Sequence, residues 1–291
     1  MKLRHGGGLA YGQLRRCSAC CAAVLACGCA ATPALDLFDK SQATAESQTL
    51  PDERAWEDVV RDYVREGLVD YAGLARDPGR LNDYLVSIAA AGPRSTPEQF
   101  ADGDARLAYY INAYNACVLR AVLARGVPKT IHEAARPLEL SYRFQVDGET
   151  VTRAELHERV RQESGDDARS ELALCGAALG SPPLADQPYR SFNIRKRLRA
   201  ATRAASANPR LVFVDHERAT LLLGPAFWAS RERFARTYMR EMHTDGATTL
   251  NWLMHVAEPA KRGYIAGAVG NAEKPIPFDG ALNMWTPPPK E

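Results

Sequence analysis

The stretch Asp104–Arg125 limits the possible folds more than any other part of the chain. It contains neither Pro nor Gly, and Gly126 and Pro128 then supply the usual signals that end a helix. Placed at about 100° per residue, Leu107, Ala108, Ile111, Val118 and Val122 gather on one face, which predicts a long helix against a core. Asn115 falls in the middle of that face and Asn112 at its edge. A buried Asn must be hydrogen-bonded or it costs stability. Each therefore either ties loop backbone to the core or meets a ligand, and both are candidate binding residues.

The remaining patterns organise themselves around this helix. Pro51-Asp52 opens a predicted helix to about Glu66, and Gly67 ends it. Leu68–Tyr71 reads as a short extended or turn segment, and Gly79–Ala91 as a further helix. Tyr142–Thr152 predicts a hairpin around Asp147-Gly148, a pair suited to a type I′ turn. Thr152 then caps a helix to about Glu163. Asp167–Ala178 is a helical or buried segment, Ser191–Ala207 a helix, and Leu211–Val214 with Thr220–Leu223 a second hairpin. Pro225–His243 and Thr248–Glu258 follow as helices, and the chain from Tyr264 reads as irregular. The predicted class is α+β, a helix-dominated single domain with small antiparallel hairpins, spanning residues 51–291.

The cysteines are unevenly placed: five of the seven lie between Cys17 and Cys29, which leaves Cys117 and Cys175 for the rest of the chain. Residues 1–31 read as an export leader. Lys2, Arg4, Arg15 and Arg16 precede a small and apolar run, Cys17–Ala31, of about 15 residues, where a membrane span needs about 20. Val24-Leu25-Ala26-Cys27 looks like a lipobox, which makes Cys27 the candidate lipidation site and allows membrane attachment through an N-terminal lipid. Residues 32–50, rich in Ser, Thr, Ala and Gln, read as a flexible tether. The expected location is the periplasm or outer envelope. A formal net charge of +2 gives no strong field for nucleic acid. The run Arg195, Lys196, Arg197, Arg199 and Arg203 suits either a solvated face or an anionic lipid or phosphate. No P-loop, dinucleotide glycine motif or Gly-x-Ser-x-Gly elbow is present, and no cofactor is predicted.

In order along the chain, Leu68-Val69-Asp70-Tyr71, Ala108–Ala116 (AYYINAYNA), the glycine hairpin with its helix, Leu172–Leu184 and Ile276–Asn283 (IPFDGALN) resemble the domain-of-unknown-function 547 family. The resemblance implies a fold and an exported bacterial setting, and no established reaction. It also implies a Glu-His pair after the hairpin, a His opening the next segment, a Cys five residues later and a second Cys before Pro-Pro-Leu. This sequence has His157-Glu158, Glu171, Gly176 and Ser181 there, with Cys175 one residue early and Gly280 in place of an expected Trp. The motif residues Asn112, Tyr114, Asn115, Asp279, Leu282 and Asn283 are kept. Asp279, Asn283 and Glu171 join the binding candidates.

Cys175 admits three readings: a buried small hydrophobe, a disulfide partner of Cys117, or a thiol activated by His157 with Glu158 orienting the base. His157, Glu158 and Glu171 are suitable metal-ligand types, but their spacing follows no HExxH-type pattern and no metal is predicted. The expected function is a non-catalytic ligand- or partner-binding domain of the envelope, using a groove beneath Leu172–Tyr189 for a small molecule or an envelope protein. The alternative is a thiol-dependent hydrolase or transferase using Cys175 with His157.

Overall fold

The computed structural model describes residues 35–36, 50–132, 142–268, 270 and 272–287. The leader, Cys27 and most of the tether lie outside the described residues. Within the tether, β1 (Leu35–Asp36), described by its backbone, pairs in parallel with Tyr142-Arg143, and Leu50 is exposed.

α1 (Glu53–Tyr63) starts where Asp52 accepts a 2.9 Å hydrogen bond from Ala55 N–H. It stops three residues short of Glu66, because the chain reverses at Glu66 (φ 51°) and Gly67 (φ 83°). Two successive left-handed residues make a tight hairpin turn between β2 (Val64–Arg65) and β3 (Leu68–Val69). A short helix absent from the sequence prediction follows, α2 (Tyr71–Arg76), capped by Asp70. α3 (Gly79–Ala90) and α4 (Gly103–Ala124) fall where the pattern predicts them. α4 is buried on every side between Leu107 and Leu119, not on one face alone, since Ala113, Ala116 and the rings of Tyr109, Tyr110 and Tyr114 are covered as well. No described helix is long and apolar enough to cross a membrane.

β4 (Tyr142–Val146) and β5 (Glu149–Thr152) form the expected antiparallel hairpin, with Asp147 (φ 59°) and Gly148 (φ 75°) at its turn. α5 (Arg153–Glu163) begins with a capping box, Thr152 with Glu155. Ala168–Ala173 is a single 3₁₀ segment, after which the chain is extended at Leu174. α6 (Ile194–Ala207) leads to a second hairpin, β6 (Val212–Asp215) and β7 (Thr220–Leu223). The predicted helix from Pro225 breaks at Ser230 into α7 (Pro225–Ala229) and α8 (Arg231–Met242). α9 (Thr249–Val256), α10 (Pro259–Ala266) and β8 (Ala272–Pro275) complete the described elements, β8 pairing in parallel with β7. β8 lies where the sequence predicts irregular chain, and α10 runs from residues given no predicted element into the start of that stretch at Tyr264.

These elements enclose two cores. One surrounds α4 and takes Trp56, Leu74, Tyr84, Ile111, Phe144 and Leu156. The other is built on Phe227, Phe234 and Trp252, with the last two ring centroids 4.4 Å apart, under Leu211, Val214 and Leu221. The stretch Leu172–Leu174 serves both, since Leu172 packs into the second core and Leu174 into the first.

Candidate functional site

The fold brings the motif segments together through buried polar contacts. Asn112 accepts hydrogen bonds from Tyr189 N–H (3.0 Å) and Trp56 Nε1–H (3.2 Å), and its amide donates to Tyr189 C=O (2.7 Å). Asn115 accepts from Cys175 N–H (2.9 Å) and donates to Ala173 C=O (3.0 Å). Both side chains of α4 thus clamp loop backbone onto the core. Residues 276–285 form a strap across the molecule: Asn283 N–H donates to Ala177 C=O (3.0 Å), Leu282 N–H to Lys129 C=O (2.9 Å) and Val69 N–H to Asn283 C=O (2.9 Å). Asp279 fixes the turn of that strap through Ala281 N–H (3.1 Å) and accepts from Arg210 Nε–H (3.2 Å).

Beside this frame lies a cavity of about 530 Å³, bounded by α5, the 3₁₀ segment, the Gly180–Pro182 turn, α7 and Phe278 of the strap. His157, Glu171, Arg153, Tyr114, His132 and Ser181 supply its polar and aromatic lining. His157 Nε2 and Glu171 Oε2 are 2.7 Å apart. The other oxygen of Glu171 accepts from Arg233 Nη1, whose Nε–H donates to Asp166 at 2.8 Å. Burial pushes the Glu171 carboxyl up, but the hydrogen bond and charge of His157 and the charge of Arg233 outweigh it and hold the group below the ordinary carboxylate range. Arg153 lies over the Tyr114 ring with its guanidinium carbon 5.5 Å from the centroid.

Cys175 does not line this cavity; it is buried and free, as is Cys117. Its sulfur accepts from Asn283 Nδ2–H at 3.3 Å and from Ala177 N–H at 3.4 Å, and Tyr71 OH donates to Asn283 at 2.8 Å. Burial pushes the thiol up to about 11, and those two hydrogen bonds and the Arg153 charge offset only part of that. The reason for its orientation is local. The 3₁₀ segment ends at Ala173 and Leu174 is extended, so neighbouring side chains there face opposite ways: Leu174 and Gly176 line the cavity, while Cys175 between them does not, and the chain then bends at Ala177 (φ 61°). A one-residue offset in an extended chain changes faces altogether.

Gly176 and Ser181 face one another across the cavity lip. A Cβ on Gly176 would lie 3.0 Å from Ser181 Cβ and 3.1 Å from its Oγ. With no side chain at Gly176, Ser181 folds back on its own turn, donating to Ala178 C=O (2.6 Å) and accepting from Ala178 N–H (3.0 Å). Glu158 is engaged elsewhere: Arg161 Nε–H and Gln162 Nε2–H donate to it at 2.7 and 2.9 Å, and these hydrogen bonds hold its carboxyl down to about 2. Among the described residues no three His, Cys, Asp or Glu side chains are placed to hold a metal ion.

Residues 98–204 match the family model described as "Protein of unknown function, DUF547". No curated protein and no solved structure matches the chain. The DUF547 match covers α4, the β4–β5 hairpin, α5, the 3₁₀ segment and most of α6, so it holds Asn112, Asn115, His157, Glu158, Glu171 and Cys175. Arg233, α7, Phe278, Asp279 and Asn283 lie outside it. The cavity is therefore lined partly by DUF547-matched chain and partly by the segments that follow. Residue-type patterns gave no sign of Arg153, His132 or Arg233. His132 has an indirect trace in Gly280, where a Cβ would come within 2.4 Å of the imidazole, so a side chain at position 280 would need the space that His132 fills.

Proposed function

We propose that the chain is an exported envelope domain that binds a small ligand in the cavity between α5 and α7, without thiol chemistry. The observation that carries this reading is the division of labour around Glu171–Ser181. The polar groups able to meet a ligand converge on the cavity, while the thiol of the same segment is sealed behind Asn283. The volume of about 530 Å³ falls within the range of small-molecule sites. Leu174, Pro182, Pro225 and Ala226 give it apolar walls, and His157 with Arg153 gives one polar corner. Such a site suits a compact molecule with an apolar body and a hydrogen-bonding or anionic end.

Two measurements test this. Peptide-mapped alkylation of the folded protein near neutral pH should leave Cys175 unmodified until the chain unfolds, and rapid alkylation abolished by His157→Ala would replace binding with the thiol-dependent reading. A thermal-shift panel of small carboxylates and aromatic acids should find compounds that raise Tm for the wild type and not for Arg153→Ala. Compounds that act equally on both would place the binding site elsewhere.

A second reading rests on the His157–Glu171 contact, because a carboxylate that orients an imidazole beside a cavity is also the arrangement of a general base. An ester- or amide-cleaving activity lost in His157→Gln and kept in Cys175→Ala would establish it. The leader and tether complete the proposal. Cell fractionation should find the chain in the envelope, and replacing both Cys27 and Cys29 by Ser should release it from membranes if Cys27 carries a lipid.

A further inference from the structure

The basic run on α6 takes no part in the cavity described above, and the structure divides it into separate roles. Arg195 pairs with Asp104 at 2.8 Å, and Arg197 with Asp186 at 3.2 Å and with the Gln187 side chain at 2.7 Å. Arg199 and Arg203, one helical turn apart, instead line a separate cavity of about 180 Å³. Arg169 from the 3₁₀ segment, Glu241 from α8 and His255 from α9 complete its charged and polar rim. Four elements therefore build the site, which a loose surface cluster would not need.

The fold of α6 places Thr202 in the same cavity, between the two arginines. Thr202 is 1% exposed, and its Oγ1 is buried without a hydrogen-bond partner among the described residues. A buried hydroxyl is ordinarily satisfied, often by the carbonyl one turn back in its own helix. A hydroxyl that leaves this bond unmade, on a residue that lines a cavity beside guanidinium groups, is suited to donate to an oxyanion. The charge balance agrees. Arg169 Nη2 lies 2.6 Å from Glu241 and 2.8 Å from Asp167 and is matched by those two carboxylates, while Arg203 shares Glu258, a side chain 60% exposed, at 3.0 Å. Arg199 is left without an ion pair among the described residues and is the cation that the cavity offers to an anion. Its volume lies below the range for whole small-molecule ligands, so it fits a single charged group better than a cofactor.

We propose that this cavity is an oxyanion site that takes a phosphate group, held by Arg199, Arg203 and the Thr202 hydroxyl. A phosphate from solution and one on a lipid headgroup offer the site the same chemistry, and the test separates the two. The test uses the full chain and two variants, Arg199→Ala at an exposed position and Thr202→Val, which keeps the shape and removes the hydroxyl. Thermal unfolding is followed with inorganic phosphate against sodium chloride at matched ionic strength, and flotation with phosphatidylglycerol against phosphatidylcholine vesicles.

A saturable rise in Tm with phosphate, weakened about tenfold by Arg199→Ala and several-fold by Thr202→Val, supports a soluble phosphate ligand. Flotation with phosphatidylglycerol alone, lost in the same two variants, supports the headgroup. Without phosphate, Thr202→Val should unfold no earlier than the wild type, because it removes a polar atom that has no partner. The proposal is overturned if neither phosphate nor phosphatidylglycerol is bound, or if both variants bind as the wild type does. These outcomes are independent of the cavity at His157.

Discussion

Asp147 shows how much a single side chain carries here. Its backbone takes the left-handed conformation of the hairpin turn, while its carboxylate accepts from Arg94 N–H (2.9 Å), Ser95 N–H (2.8 Å), Ser95 Oγ–H (2.9 Å) and Tyr110 OH (2.8 Å). Asn tolerates the same backbone conformation, so Asp147→Asn isolates the hydrogen bonds from the turn. One accepting oxygen becomes a donor facing donors, and urea unfolding should show a loss of about 2–3 kcal/mol. Glu171 makes a pH-dependent contribution of definite sign. Its carboxyl titrates lower in the folded chain than in the unfolded one, so its stabilisation is present above the ordinary carboxylate range and is lost as pH falls through the folded value. Glu171→Gln should therefore flatten the acid side of the stability–pH curve below about pH 5. It should also cost about 2 kcal/mol at neutral pH, since Arg233 keeps Asp166 alone. An unchanged acid slope would mean that other carboxylates govern acid unfolding.

At the scale of elements, the capping box of α5 gives the most direct test. Thr152→Ala removes the acceptor for Glu155 N–H and the hydroxyl that donates to the Glu155 carboxylate at 2.8 Å, and should lower stability by about 1 kcal/mol in chemical denaturation. This cap was legible in the sequence, as were α3, α4, both hairpins and the α+β class, because each rests on local chemistry: a capping residue, a turn pair, an apolar period. What local chemistry does not encode was not legible. β8 exists only because β7 offers it a parallel edge 52 residues away along the chain, from the Thr220–Ala272 pair to the Leu223–Pro275 pair. α7 and α8 share one uninterrupted helical pattern, yet Ser230 turns out of the helix (φ −108°, ψ 14°) where Phe227 and Phe234 pack into the same ring cluster. The candidate site divides in the same way. His157, Glu171, Cys175 and the two Asn stand out by residue type, but that Glu171 pairs with His157 depends on the 3₁₀ segment, and that Cys175 turns inward depends on its ending in an extended residue at Leu174. A helical reading of Asp167–Ala178 turns neighbouring side chains by about 100°, and the extended chain turns them to opposite faces.

Across the whole molecule, the strap at residues 276–285 ties together segments far apart in the chain. It bonds to Gly67 and Val69, to the turn before His132 and to the Ala177–Gly180 loop, and Asn283 closes over Cys175. The protection of the thiol is therefore a property of the strap as much as of local burial. At Gly180 the strap passes close: a Cβ there would lie 2.8 Å from Asp279 N and 2.9 Å from Asp279 O, which are backbone atoms and not the end of a flexible side chain. Gly180→Ala should displace the strap at a cost of about 1–3 kcal/mol and draw Asn283 away from the sulfur. The expected outcome is faster peptide-mapped alkylation of Cys175 in the folded protein, together with faster hydrogen exchange at Leu282 and Asn283. Gly263→Ala, in α10 with nothing within 4 Å of the added Cβ, serves as the control and should change neither rate. Faster exchange in the strap with Cys175 still protected would show that the first core alone seals the thiol, and that the strap covers it without controlling it.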